Sequence, residues 1–346
     1  VKAVQLVEPG RLEVVDIPVP AIGRDQVLLK VAAAGLCHSD VHIRHLPVAI
    51  SDLPQTLGHE TAGHVVEVGA DVVGWAEGDA AVVHLIWACG ACPACSRGDD
   101  NVCFQAGRGA MPPTPGLGPA GGMAEYMAVP ARHLVQIGGL DPVSSAPLAD
   151  AGMTPYHVVR NSLHVLRPDS TAVVIGIGGL GHLAVQLLAH LSVARVVAID
   201  QDDNRLATAV RHGAHETIRA DAEPAFRILE LTGGRGAEAV FDFVGNDGTA
   251  EIAANSIAPD GVYQLVGIGG GAVPIVANPR FGVGWPWGAS ARTSYGGTRS
   301  DLLGCVALAA AGRLSVDIET FALTDAVAAF DRLEAGTING RAVLIP

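Results

Sequence analysis

Short runs of alternating apolar and polar residues mark the first part of the chain as strand-rich. Lys2–Val7, Leu12–Ile17, Gln26–Ala34, Ala62–Val68 and Ala80–Leu85 are strand candidates, divided by turns such as Glu8-Pro9-Gly10 and Glu77-Gly78-Asp79. They predict a small barrel-like β structure. Met111–Gly122 is so rich in proline and glycine that regular structure is excluded, and a surface or lid-like loop is expected.

From about Ala151 the period changes. A helix-like stretch, Met153–Val165, leads into the apolar strand Ala172–Ile175, and helices then alternate with strands: His182–Leu191, Arg195–Ile199, Asn204–Arg211, Glu216–Ile218, Pro224–Leu231, Ala239–Phe243, Gly248–Ser256 and Val262–Gly267. Such alternation builds an α/β, doubly wound parallel sheet with helices on both faces. Beyond Trp285–Trp287 come a helix at Ser300–Ala311, a strand near Ile318–Phe321, a helix at Thr324–Ala335 and a last strand, Arg341–Ile345, which could close either part.

The junction of Ala172–Ile175 with the next helix carries Gly176-Ile177-Gly178-Gly179-Leu180-Gly181. Gly176 permits the bend, Gly178 lets backbone approach a pyrophosphate, and Gly181 lets the helix pack close to the sheet. The helix N-terminus offers unpaired N–H groups to phosphate oxygens. Asp200 ends the following strand nineteen residues after Gly181, where its carboxylate would accept hydrogen bonds from an adenosine ribose and repel a 2′-phosphate. A dinucleotide site preferring NAD over NADP is expected.

Composition narrows the partners. The chain has 346 residues, which suggests two domains, and a formal charge of −13 with no basic stripe, which argues against nucleic acid. No apolar run has membrane-spanning length, and the chain enters strand sequence directly without a basic and apolar leader, so cytoplasmic residence is the expectation.

Four of the six cysteines, Cys89, Cys92, Cys95 and Cys103, fall within fifteen residues in the pattern CxxCxxCx₇C. Four thiolates at that spacing suit tetrahedral zinc and fill every position, so this site would be structural rather than catalytic. Ferredoxin spacing and its following proline are missing, which disfavours an iron–sulfur cluster. A second group, Cys37-His38-Ser39-Asp40 with His42, precedes Gly58-His59-Glu60. Cys37 and His59 are natural zinc ligands, and a catalytic site needs a third. Spacing does not choose it.

At these residues the chain resembles the zinc-dependent medium-chain alcohol dehydrogenases, and most nearly their bacterial secondary-alcohol members. Gly35–Asp40, Gly58–Glu60, the four-cysteine lobe, the glycine turn and Asp200 carry the likeness in order along essentially the whole chain. The resemblance implies a GroES-like β-rich catalytic domain over residues 1–150 and 287–346, with a zinc lobe at about 86–105, and a Rossmann NAD-binding domain over residues 151–286. It implies that Cys37, His59 and Asp150 hold a catalytic zinc, giving two zinc ions per chain with the structural one. Glu60 would be a neighbour able to approach the metal, and Asp40 would orient His59. The alcohol proton would pass to Ser39, through the coenzyme ribose, and out by His42. His38 would face the pyrophosphate, Arg205 the adenosine ribose and Arg341 the phosphates. Thr154 would pack by the nicotinamide, with the backbone of Val266 and Ile268 at its carboxamide.

The substrate pocket would draw on Trp87, Met111, Trp285, Trp287, Tyr295 and Gly296 besides His42. Gly296 stands where similar bacterial enzymes have a large aromatic side chain, so bulkier or aryl ketones are expected. The activity implied is reversible hydride transfer between NAD and secondary or aromatic alcohols, with small-molecule alcohol or ketone as the partner. Two other readings stay open: a polyol or aldehyde-oxidising relative, which would want more polar pocket residues, and a non-catalytic zinc-stabilised NAD-binding protein, which would want the Cys37–Asp150 constellation degraded. A homo-oligomer is expected, tetramer before dimer, with contacts from a strand near Val283–Ser290 or from the zinc lobe.

Overall fold

A computed structural model of the chain describes residues 1–46, 52–273, 275 and 285–346. It divides into two compact units, Val1–Met153 with Gly296–Pro346, and Thr154–Tyr295.

The first unit opens with β1 (Lys2–Glu8), β2 (Arg11–Asp16) and the long β3 (Gln26–Leu36), followed by helix α1 (His38–His45), β4 (Gln55–Thr56), β5 (Glu60–Val68) and β6 (Ala80–Val83). The cysteine lobe holds the short α2 (Pro93–Ser96) and 3₁₀ turns at Asp100–Val102 and Phe104–Ala106. Then come β7 (Tyr126–Pro130), β8 (Leu134–Gln136), α3 (Pro142–Ser145) and a 3₁₀ turn at Ala146–Ala149. All five strands expected from the apolar pattern are present. The short β4, β7 and β8 carry too few alternating positions to be read from sequence.

The second unit is built on α4 (Met153–Ser162), β9 (Thr171–Ile175), α5 (Gly181–Leu191), β10 (Arg195–Asp200), α6 (Asp203–Arg211), β11 (Glu216–Arg219), α7 (Pro224–Leu231), β12 (Ala237–Asp242), α8 (Asp247–Ser256), β13 (Ile257–Leu265) and β14 (Ser290–Thr293). Its six strands form one sheet in the order β11-β10-β9-β12-β13-β14, every pair parallel. In sequence rank that is 3-2-1-4-5-6, the Rossmann order, whose switch point lies between β9 and β12, where ligands bind at the strands' carboxyl ends. Strands buried on both faces need continuous apolar runs, and Val173, Ile175, Val197, Ile199 and Val240 supply them. The second crossing between units was expected after residue 286. It falls after Tyr295 because β14 pairs with β13, Val262 opposite Ser290, and so stays with the parallel sheet.

The chain then returns to the first unit with α9 (Arg299–Ala310), β15 (Ile318–Ala322), α10 (Ala326–Glu334) and β16 (Arg341–Ile345). β16 pairs antiparallel with β3, which settles which unit the end closes. The seven-stranded sheet runs β15-β16-β3-β5-β6-β8 with β7 also on β3, beside a three-stranded sheet β2-β1-β4. Among the described residues no helix is long and apolar enough to cross a membrane. The expected strand near Val283–Ser290 lies partly outside the described residues.

Met111–Gly122 has no regular structure, as its composition requires, yet half of it is not a free lid. Gly121 N–H bonds to the Thr56 carbonyl, Gly122 to Gly58 and Met123 to Leu57, at 2.8–2.9 Å. A Cβ at Gly122 would sit 1.9 Å from the Thr61 hydroxyl oxygen, and one at Gly121 2.3 Å from the Leu57 carbonyl. The glycines let this loop lie flat against the strand that delivers His59.

Candidate active site

Strand register brings the first two metal ligands together. β3 and β5 pair antiparallel with Gly35 opposite Glu60, so Cys37, just past the end of β3, meets His59, just before β5. Asp150 arrives from the turn after Ala149. Its Oδ2 lies 3.4 Å from Cys37 Sγ and 3.6 Å from His59 Nε2. Tetrahedral zinc at ordinary bond lengths has ligand edges of roughly 3.3–3.7 Å for such N, O and S pairs. The three side chains fit that ion and, being three, would leave a fourth position open. Thiolate and carboxylate together neutralise its charge.

The surrounding groups fix this set. Asp40, itself buried, accepts from the Cys37 backbone N–H at 2.9 Å through Oδ2 and turns Oδ1 to His59 Nδ1 at 3.4 Å. That orientation leaves Nε2 for the metal, the arrangement that raises a ligand's basicity. Burial pulls the His59 imidazole down, but the Asp40 and Asp150 carboxylates outweigh it and hold it well above its ordinary value without a metal. Ser39 places Oγ 3.6 Å from Cys37 Sγ, while His42 is exposed on α1.

Arg341 is the residue whose place sequence reasoning missed. Buried at 3% exposure, it donates Nε to Glu60 Oε2 at 2.9 Å and Nη2 both to Glu60 Oε1 and, at 3.2 Å, to Asp150 Oδ2. These two donor atoms, Nε and Nη2, go to the carboxylates of the metal site, a place not expected for the residue from sequence. The signal was β16 beside β3, Ala342 opposite Leu36, which sequence does not display. Glu60 also accepts from Ala151 N–H at 3.0 Å, so its carboxylate takes three donors in all. Gly35 makes room for it: a Cβ there would lie 2.0 Å from Glu60 Oε2.

The four lobe cysteines also converge. Sulfur pairs Cys92–Cys95, Cys89–Cys95 and Cys92–Cys103 stand 3.5, 3.8 and 3.9 Å apart, against an edge of roughly 3.8 Å for a zinc tetrathiolate. The N–H groups of Ala91 and Cys92 point at Cys89 Sγ, and that of Phe104 at Cys92 Sγ. Backbone donors, that of Cys95 first, pull the Cys92 thiol down to about 6. All six cysteines are free thiols.

In the second unit the glycine turn has the geometry its residues demand. Gly176 has φ +86°, and a Cβ on Gly181 would be 1.8 Å from the Gly176 carbonyl, whereas a Cβ on Gly178 would meet nothing within 4 Å. That empty side is where backbone can approach a ligand. Asp200 accepts from Ile177 N–H at 2.7 Å and Asp202 N–H at 3.0 Å, so it also ties the turn down. Thr154 is buried at the start of α4, Gly179 and Leu180 are half-buried in the turn, and Ile268 is exposed. His38 is exposed, and Arg205 bonds through its backbone to the Asp202 cap of α6.

The expected pocket residues serve varied ends. Trp87 stacks on His133 at 5.6 Å and donates to the His84 carbonyl, and Met111 is exposed. Trp285 packs on Tyr263 at 6.4 Å and donates to Ala289 O, which makes it part of the sheet's flank, and Trp287 is 82% exposed. Gly296, next to Tyr295, has φ +53°, and a Cβ there would press on Ile86 at 3.1 Å. Glycine is thus called for by the backbone.

Sheet order, glycine turn and two metal-binding groups define a zinc-binding, dinucleotide-using dehydrogenase. Residues 23–139 match the alcohol dehydrogenase GroES-like domain and residues 179–310 the zinc-binding dehydrogenase domain. The chain is 37% identical to an NAD-dependent alcohol dehydrogenase of Sulfurisphaera tokodaii, covering 100% of each, and 34% identical to an alcohol dehydrogenase of Geobacillus stearothermophilus, covering 96% and 95%. The crystal structure of the alcohol dehydrogenase from Aeropyrum pernix superposes with a TM-score of 0.90 at 34% identity over 100% of both chains. The chain belongs to the zinc-dependent medium-chain alcohol dehydrogenase family.

Proposed function

We propose that the chain oxidises secondary or aromatic alcohols to ketones or aldehydes with NAD, reversibly. The observation that carries the reading is the ligand set of Cys37, His59 and Asp150, whose metal-binding atoms all lie within 4.8 Å of one another. A bound zinc would supply the Lewis acid that polarises the alcohol or carbonyl oxygen. The chain's own residues do the rest. Asp40 fixes the His59 tautomer, and Arg341 holds the Asp150 oxygen in place while neutralising Glu60. Ser39 Oγ, beside Cys37, accepts the substrate hydroxyl proton as it passes its own on towards His42, which is exposed on α1 and releases it to water. The turn Gly176–Gly181 holds the coenzyme's pyrophosphate, and Asp200 selects NAD.

Gly296 leaves the Ile86 side chain without an aromatic neighbour from that position, which supports bulkier or aryl substrates. The cysteine lobe needs thiolates, which fits a reducing, cytoplasmic setting. Family resemblance supports a homo-oligomer, tetramer before dimer. A panel of secondary, primary and aryl alcohols, followed by NADH absorbance, tests the reading. Turnover confined to two- or three-carbon alcohols would contradict the substrate class, and no turnover at all would remove the function.

A further inference from the structure

β12 ends at the switch point beside β9, and its last residue, Asp242, is fully buried. A buried carboxylate needs donors, and this one has three. Oδ1 accepts the N–H groups of Val244 at 2.9 Å and Gly245 at 2.8 Å; Oδ2 accepts the phenol of Tyr263 at 2.8 Å. Its backbone carbonyl takes the N–H of Val266 at 2.9 Å and of Gly267 at 3.0 Å. One residue therefore organises two loops, the one after β12 and the one after β13.

Those loops are laced by backbone. Gly269 N–H bonds to Val244 O and Gly271 N–H to Gly245 O. A Cβ on Gly267 would lie 2.2 Å from the Val244 carbonyl carbon, and one on Gly245 2.2 Å from the Gly267 carbonyl oxygen. The contact extends to the glycine turn, since a Cβ on Gly176 would strike Val244 Cγ2 at 2.6 Å. Val244 thus stands directly against the first glycine of the phosphate-binding turn, whose φ of +86° already calls for glycine. Val266 and Ile268 stand on the second loop.

Tyr263 is the far anchor. Its ring is fully buried, with Trp285 at 6.4 Å, and burial followed by the Asp242 charge raises its phenol, which stays a donor. We infer that Asp242, held by Tyr263, is a positioning residue for the coenzyme: it sets Val244 against Gly176 and presents the backbone of Val266–Ile268, without touching the coenzyme through its own side chain. The inference rests on the NAD-dependent reading above.

The test is NADH binding to the zinc-loaded enzyme by fluorescence titration, with KM for NAD and kcat measured on Tyr263→Phe, Asp242→Asn and Asp242→Ala. The Asn amide oxygen can still accept from Val244 and Gly245, and its NH₂ can donate to the Tyr263 oxygen. Asp242→Asn should therefore bind NADH nearly as the wild type does. Tyr263→Phe and Asp242→Ala should raise the NADH Kd and the NAD KM roughly tenfold, the scale of a lost hydrogen bond to a charged group, with kcat changed by less than about twofold. Should Asp242→Ala fail to fold, the contrast between Tyr263→Phe and Asp242→Asn still decides. A Tyr263→Phe enzyme that melts lower but binds NADH unchanged would reduce the pair to packing and overturn the inference. Wild-type enzyme that binds no NADH would overturn the NAD reading itself.

Discussion

Asp150 touches Cys37, His59 and Arg341 at once, so replacing its carboxylate removes a metal ligand and an arginine partner together. Asp150→Ala should lose one of the two zinc equivalents that the ligand groups fit, while Glu60→Gln, which keeps its shape beside Arg341, should retain both. Metal analysis after dialysis against a chelator reads this directly, and the reverse pattern would make Glu60 the ligand. A different residue bears on acid stability. His133 is buried and accepts from Arg132 Nε at 3.0 Å, and burial, with Arg132 and His84, lowers its imidazole to about 3. Unfolded histidine titrates near roughly 6.5, so between these values the unfolded state binds a proton that the folded state does not. The contribution of His133 to stability falls as pH drops through that window. The thermal midpoint should decline from about pH 7 to about pH 4.5, and His133→Gln should flatten the decline; equal slopes would exclude His133 as a source.

At the scale of elements, two glycines of one turn separate folding from binding. Gly181→Ala would put a methyl 1.8 Å from the Gly176 carbonyl, a backbone clash that should cost a few kcal/mol or abolish folding. At Gly178 a methyl meets nothing in the protein, so Gly178→Ala should keep its melting temperature and instead raise KM for NAD by about tenfold or more. Melting curves and coenzyme kinetics on the pair check this; a Gly178→Ala enzyme with unchanged KM would mean that no backbone approaches a ligand there. The turn was legible because strand, glycine spacing, helix and acid are local. The loop Met111–Gly122 was legible only in part. Proline and glycine exclude helix and strand, but nothing in their order reveals that Gly121 and Gly122 bond to Thr56 and Gly58.

For the whole molecule, the alternation of elements conveyed the parallel sheet, since right-handed crossovers leave few topologies. What it could not convey was long-range pairing. Asp150 lies 113 positions from Cys37, and Arg341 lies 281 from Glu60, so the third ligand came from resemblance and the arginine's place only from the fold. The boundary near residue 286 was misplaced for the same reason, because β14 belongs to whichever strand it pairs with. The central claim is the proposed reaction, oxidation of a secondary alcohol with NAD. The initial rate of NADH formation from a secondary alcohol, with the zinc-loaded chain and with NAD or NADP in turn, tests it most directly. The account predicts NADH and ketone in equal amounts and a clear preference for NAD. No NADH from any secondary or aromatic alcohol, by protein carrying both zinc ions, would contradict it.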